Sequence, residues 1–248
     1  MMMLDIPIIF YLLLFVVAFL YANVGHGGAS GYLALMALFG FAPEQMRPTA
    51  LLLNLFVSLT AFIQFYRGGF FLHRLFIPFA LSSVPLSFLG GTLTVDAILY
   101  KRVLGLLLLV PIGRFLFVPN VQKEKLRADH TGLAMGIGVG IGFLSGLIGI
   151  GGGILLSPAL LLLRWADQKQ AAAVSALFIF VNSLAGLGGQ LMKGVGFVSG
   201  MIALVAVAFA GGLLGAWTGA FKYGQSALKF ILAGVLALAA YKLLQTGA

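Results

Sequence analysis

The residues best suited to chemistry in this chain sit in two glycine runs. The first is Val24-Gly25-His26-Gly27-Gly28; the second is Ile148-Gly149-Ile150-Gly151-Gly152, continuing into Gly153. Glycine has no Cβ, so it lets a ligand approach the main chain and adopts the positive φ that a sharp bend needs. Where such a run opens a helix, the first N–H groups lack intrahelical acceptors and lie at the positive end of the helix dipole. Gly27, Gly28, Gly151, Gly152 and Gly153 are therefore candidates for binding an anion through the backbone, without a charged side chain. Taken alone, a glycine pair also serves close helix packing, and the matching of two runs is what favours a site. His26 is the only titratable residue inside either run, and Ile150 is its counterpart. An imidazole there can donate to an anion or couple a proton to its movement, or stay neutral and hydrogen-bonded within the bend.

Polar residues at helical spacing extend the list. Ser175, Asn182, Gly186 and Gly189 fall on one narrow face at 100° per residue, and Asn54, Ser58 and Ala61 share a face with Gln64 nearby. Thr49 and Gln64 align with Ser175 and Gln190 when the two glycine runs are superposed and two residues of loop are allowed. Thr49, Asn54, Gln64, Ser175, Asn182 and Gln190 are thus candidate substrate ligands. Each could instead make interhelical hydrogen bonds, common in membrane bundles. The six acids and the histidines His26, His73 and His130 lie far apart in sequence and form no catalytic or metal-ligating constellation. Without a Walker motif, direct ATP drive is not expected, and neither a cofactor nor an enzymatic activity is expected.

The elements that position these residues are membrane helices. Hydrophobic residues make up 61% of the chain and charged residues 8%, against roughly 25% charged in a soluble domain. Apolar runs occupy 4–22, 29–41, 49–66, 75–93, 98–118, 131–148, 154–163, 171–191, 197–217 and 226–244. The runs at 29–41 and 154–163 span only about 20 and 15 Å as helix, too short to cross a bilayer of about 30 Å. They read as half-helices starting near the midplane. Irregular backbone at that depth survives only against protein or a wet cavity. The start, with Asp5 and Pro7, lacks the features of a cleaved signal peptide, so the first run is expected to be retained.

The halves resemble each other. After the glycine runs come a glycine-rich helix (Leu89-Gly90-Gly91; Leu214-Gly215-Ala216) and a last helix led by Lys101 or Lys229. This order predicts a duplication: a first transmembrane repeat at 1–118, a cytoplasmic linker at 119–130 and a second repeat at 131–248. If each glycine run is the bend of a hairpin, one side holds nine Lys and Arg, including Lys123, Lys125 and Arg127, and the other holds five: Arg47, Lys101, Arg102, Lys193 and Lys242. The positive-inside rule then places the linker in the cytoplasm and both termini outside. The net charge of +9 is accounted for by such loop charges and does not call for nucleic acid. The expected fold is an all-α polytopic membrane protein of two inverted repeats of about five helices or half-helices, each opening with a glycine-broken hairpin.

These features resemble the TauE/SafE-type sulfite and organosulfonate exporters, also called TSUP permeases. The resemblance covers nearly the whole chain and rests on Gly25-His26-Gly27-Gly28, the run Gly146 to Gly153, and the helix starts Pro48-Thr49-Ala50 and Val174-Ser175-Ala176. It implies a multi-pass protein of the bacterial inner membrane that moves a small sulfur-containing anion such as sulfite, thiosulfate or an organosulfonate. The pairing of His26 with Ile150, and of Asn54 with Phe180, departs from a symmetric pattern. A secondary transporter, exporting by alternating access around a midplane site, is the leading expectation, with protons as a candidate coupling ion. The alternatives are an anion channel and an intramembrane lipid-modifying enzyme.

Overall fold

A computed structural model describes residues 6–117, 126–195, 197, 200–221, 237 and 240–245. The first half forms α1 (Ile8–Asn23), α2 (Ala29–Leu38), α3 (Pro43–Arg67), α4 (His73–Thr92) and α5 (Ala97–Phe117). The second forms α6 (Thr131–Ile148), α7 (Gly153–Leu162), α8 (Gln168–Leu191) and α9 (Met201–Phe221). The protein is all-α and polytopic: α3, α4, α6, α8 and α9 are long and apolar enough to cross a membrane, while α1, α2 and α7 are shorter apolar helices. The expected last run, 226–244, and the expected linker, 119–130, lie mostly outside the described residues.

Two helices start earlier than the apolar pattern indicates, because their first turns are polar. Helix α3 begins at Pro43, whose fixed φ suits the first helical position, with Glu44 in the first turn. Helix α8 is opened by a capping box: Asp167 accepts from the N–H groups of Lys169 and Gln170 at 2.9 Å, and Gln170 Oε1 accepts from Asp167 N at 3.0 Å. Hydropathy sees neither device.

Each glycine run is a bend that returns the chain toward where it came from. The ring of Phe10, early in α1, lies 5.2 Å from Phe39 and 5.3 Å from Phe41, just beyond α2. Midway, Ser30 Oγ donates to the Tyr21 hydroxyl at 2.9 Å. In the second half, Arg127 N, ahead of α6, donates to Arg164 O, just beyond α7, at 2.8 Å. Both short arms are therefore antiparallel partners of the helix before them.

The halves exchange helices. On α6, Gly138, Gly142 and Gly146 lie against Phe79, Ser83 and Ser87 of α4; on α9, Gly211, Gly215 and Gly219 lie against Phe15, Phe19 and Asn23 of α1. Glycine at every fourth position lets backbones touch, so van der Waals contact can hold helices together where lipid supplies no hydrophobic drive. Gly90 of α4 likewise meets the carbonyl of Phe143, and Gly215 that of Phe19. Between these exchanged pairs, α3 and α8 pack at the centre and carry the polar residues discussed next.

Candidate anion site

Left-handed glycines make both bends. Gly25 and Gly28 have φ of 76° and 96°; Gly149, Gly151 and Gly152 have 87°, 72° and 78°. Gly28 and Gly152 are the N-cap residues of α2 and α7. Having no side chain, they leave the first-turn N–H groups to partners brought from other helices.

For α2 that partner is Asn54, from the middle of α3. Its Oδ1 accepts the Ala29 N–H at 3.0 Å, and its Nδ2 donates to Ser183 Oγ on α8 at 3.2 Å. The same carboxamide touches both bends. A Cβ on Gly27 would stand 2.5 Å from Asn54 Oδ1 and 2.8 Å from Ile179 Cγ2; a Cβ on Gly151 would collide with Asn54 Nδ2 and stand 2.9 Å from Ser183 Oγ. The two glycine runs, about 120 residues apart in sequence, thus converge on one fully buried amide.

The other sequence candidates are spread over several places. Around the second bend, Gly152 faces Ile141, Phe178 and Ser145, and Gly153 faces Ile179 and the Ser175 carbonyl. Ser175 itself shares a 2.7 Å hydrogen bond with Ser157 of α7, pinning that half-helix to α8. Thr49 is fully buried on α3. His26 is buried in the first bend with Nδ1 3.0 Å from the Val24 carbonyl. Asn182 turns toward α4 instead. Its Nδ2 donates to Ser83 Oγ at 3.0 Å and to the Phe178 carbonyl at 2.9 Å, and its main-chain carbonyl accepts from Ser87 Oγ. It is an interhelical tie and not a neighbour of Asn54's bond to α2. Gln190 lies near the end of α8 beside Arg47, whereas Gln64 lies about 26 Å further along α3 at 1.5 Å per residue. The aligned glutamines therefore sit far apart and share no site.

Arg47 is the residue the sequence reading misplaced. Its position between Pro43 and the apolar run suggests a loop charge, but α3 starts early enough to bury it to 9% exposure. Its guanidinium donates to the carbonyls of Leu93 at 3.3 Å and Gly146 at 3.4 Å, and its backbone packs on Gly149. Tyr100 holds the same bend by donating to the Ile148 carbonyl at 3.2 Å. A cavity of about 260 Å³ opens here, lined by Arg47, Tyr100, Gln190, Glu44 and Lys193 among others. Lys193 lies just beyond α8; desolvation, and then the charge of Arg47, pull its ammonium below the usual lysine range. The sequence signal that could have found Arg47 is its place beside Pro48-Thr49-Ala50 at the polar start of a membrane helix.

Residues 10–243 match the family model described as Sulfite exporter TauE/SafE. The chain is 37% identical over 235 residues to a Sinorhizobium fredii protein named "Probable membrane transporter protein y4hK", covering 93% of this chain and 95% of that one. A Haemophilus influenzae protein named "Probable membrane transporter protein" is 31% identical, covering 87% of this chain and 84% of that protein. A Methanocaldococcus jannaschii protein, "Probable membrane transporter protein MJ0441", matches about half of each chain at 32% identity. No solved structure matches the chain.

Proposed function

The chain belongs to the sulfite exporter TauE/SafE family of membrane transporters, and on that premise we propose that it is a secondary transporter exporting a small sulfur-containing anion such as sulfite, thiosulfate or an organosulfonate. The observation that carries the reading is the meeting of both glycine bends on Asn54. In this arrangement the Asn54 carbonyl holds the Ala29 N–H, the place an anion's oxygen would take at a helix N-terminus. Binding exchanges one acceptor for the other: Asn54 swings off Ala29, its NH₂ turns to the anion, and first-turn N–H groups of α2 and α7 complete the shell. Glycine at 27, 28, 151, 152 and 153 keeps side-chain bulk out of the path.

The inverted repeat supplies the moving parts. Each half opens with a re-entrant hairpin, lends its fourth helix to the other half's first, and meets its twin along α3 and α8. Rocking of the halves about that seam opens the site to one side at a time, as alternating access requires. With more Lys and Arg on the side of the central linker, the linker is cytoplasmic, the termini are outside and the protein sits in the bacterial inner membrane. A small anion and the lipid bilayer are its partners, and a proton is the candidate coupling ion.

The test is uptake of labelled sulfite and thiosulfate by proteoliposomes holding the purified protein. Saturable flux with trans-stimulated counterflow is the expected result. Millions of ions per second in a bilayer recording would replace the carrier with a channel. Absence of flux for every sulfur anion tried would overturn the reading.

A further inference from the structure

We propose that the cavity at the start of α3 is a second anion site, separate from the glycine bends, in which Arg47, Gln190 and Lys193 hold a singly charged oxyanion. Two residues of the cavity wall each carry a buried donor without a hydrogen-bond partner: Arg47 Nε and Gln190 Nε2, on residues 9% and 2% exposed. Leaving such groups unmade in the interior is costly, so two of them on wall residues of one cavity point to an acceptor that comes and goes. The guanidinium is already oriented, because its Nη2 is fixed by the carbonyls of Leu93 and Gly146. The Nε edge is what remains. A preset guanidinium edge beside a carboxamide NH₂ suits an oxyanion, which accepts several hydrogen bonds at once.

Charge and size narrow the ligand. Arg47 and Lys193 contribute two positive charges and Glu44 one negative, leaving one net positive on the wall. A sulfonate or bisulfite neutralises that; a divalent sulfate overshoots it and meets Glu44 as well. Tyr100 closes the wall without offering a donor, since its hydroxyl hydrogen goes to the Ile148 carbonyl. The volume, about 260 Å³, lies below the range of drug-sized pockets and far above that of one water. Arg47 joins the two places, since it lines the cavity and packs its backbone on Gly149 of the second bend. Its role as a stop on a transport route rests on the transport reading; its capacity to bind an anion does not.

The experiment titrates the purified full-length protein with methanesulfonate, a monoanion at every accessible pH, and with sulfate, by calorimetry. Wild type is expected to bind methanesulfonate in preference to sulfate. Gln190→Leu and Lys193→Gln, each folded by its thermal midpoint, should weaken methanesulfonate at least fivefold. Glu44→Gln raises the wall to two net charges and should shift the preference toward sulfate at least fivefold, a readout that a purely structural role would not move. Methanesulfonate affinity within twofold of wild type in both Gln190→Leu and Lys193→Gln, or an unchanged preference in Glu44→Gln, overturns the site. Wild-type sulfite flux with unaltered variant binding would sink the cavity and spare the transporter; weakened variant binding without any wild-type flux would do the reverse.

Discussion

Replacing Asn54 with Asp separates an anion site from a packing contact. The substitution keeps the size of the side chain and places a carboxylate where Oδ1 accepts the Ala29 N–H at 3.0 Å. Three terms compete. The bond to Ala29 becomes charge-assisted, rising from about 1 kcal/mol to about 1.5–3 kcal/mol. The charge then faces the N-terminus of α2, worth up to about 2 kcal/mol in a partly buried geometry. Against these stands the desolvation of a buried carboxylate, several kcal/mol. Ser183, 3.2 Å from Nδ2, can rotate its hydroxyl to donate to the second oxygen. If the bends are built to receive an anion, the sum is near zero, within about 2 kcal/mol, because the mutant supplies the missing ligand. The site is then permanently filled and flux is lost. Asn182→Asp is the control, since that amide donates to the Phe178 carbonyl and faces no helix N-terminus. A carboxylate there is repelled, and a loss above about 3 kcal/mol is expected. At about 2–4 °C per kcal/mol, the thermal midpoint of Asn54→Asp should stay within about 8 °C of wild type, while that of Asn182→Asp should fall by roughly 6 °C or more and lie clearly below it. The assays are thermal unfolding in detergent and sulfite flux in vesicles. Equal destabilisation of the two variants, or normal flux in Asn54→Asp, would refute the argument.

Other outcomes follow from the same geometry. Gly69 and Gly151 share a φ near 70°, but a Cβ at Gly69 meets nothing within 4 Å and one at Gly151 meets Asn54 and Ser183; Gly69→Ala should keep its flux, whereas Gly151→Ala should lose about tenfold to a hundredfold, the equivalent of one hydrogen bond to a charged ligand. Gly142→Leu should abolish folded yield by prising α6 from Ser83 of α4, while Gly140→Leu, with open space at its Cβ, should be recovered at wild-type levels by size-exclusion chromatography. With its Nδ1 3.0 Å from the Val24 carbonyl, His26 acts within its own bend, and His26→Gln should retain the pH profile of sulfite flux; a flattened profile would assign the proton step to this imidazole.

How much of this was legible in the sequence depends on whether the signal was local. The membrane class, the half-helix lengths and the glycine bends are local properties of composition and run length, and α2 and α7 occupy the two short apolar runs. Glycine identity also forecast the left-handed bends, because only that residue adopts φ near 80° without strain. It did not distinguish these glycines from Gly142 or Gly215, which have ordinary helical backbones and serve close approach. That difference lies in which helix comes alongside. Polar periodicity gave Asn54 and Asn182 equal standing, yet one faces α2 and the other α4, because a face at 100° per residue fixes a direction on a helix and not its neighbour. Repeat alignment paired Gln64 with Gln190, although α3 and α8 carry them to well-separated places. Arg47 read as a loop charge because hydropathy locates the apolar part of a helix and not its polar first turn. The sequence by itself determined that the chain lives in a bilayer, breaks its helices at two glycine runs and offers backbone donors there. Only the tertiary structure decided that both breaks close on one amide, and that a cation counted as a surface charge lies buried against the second break, since both depend on contacts between segments that no local pattern encodes.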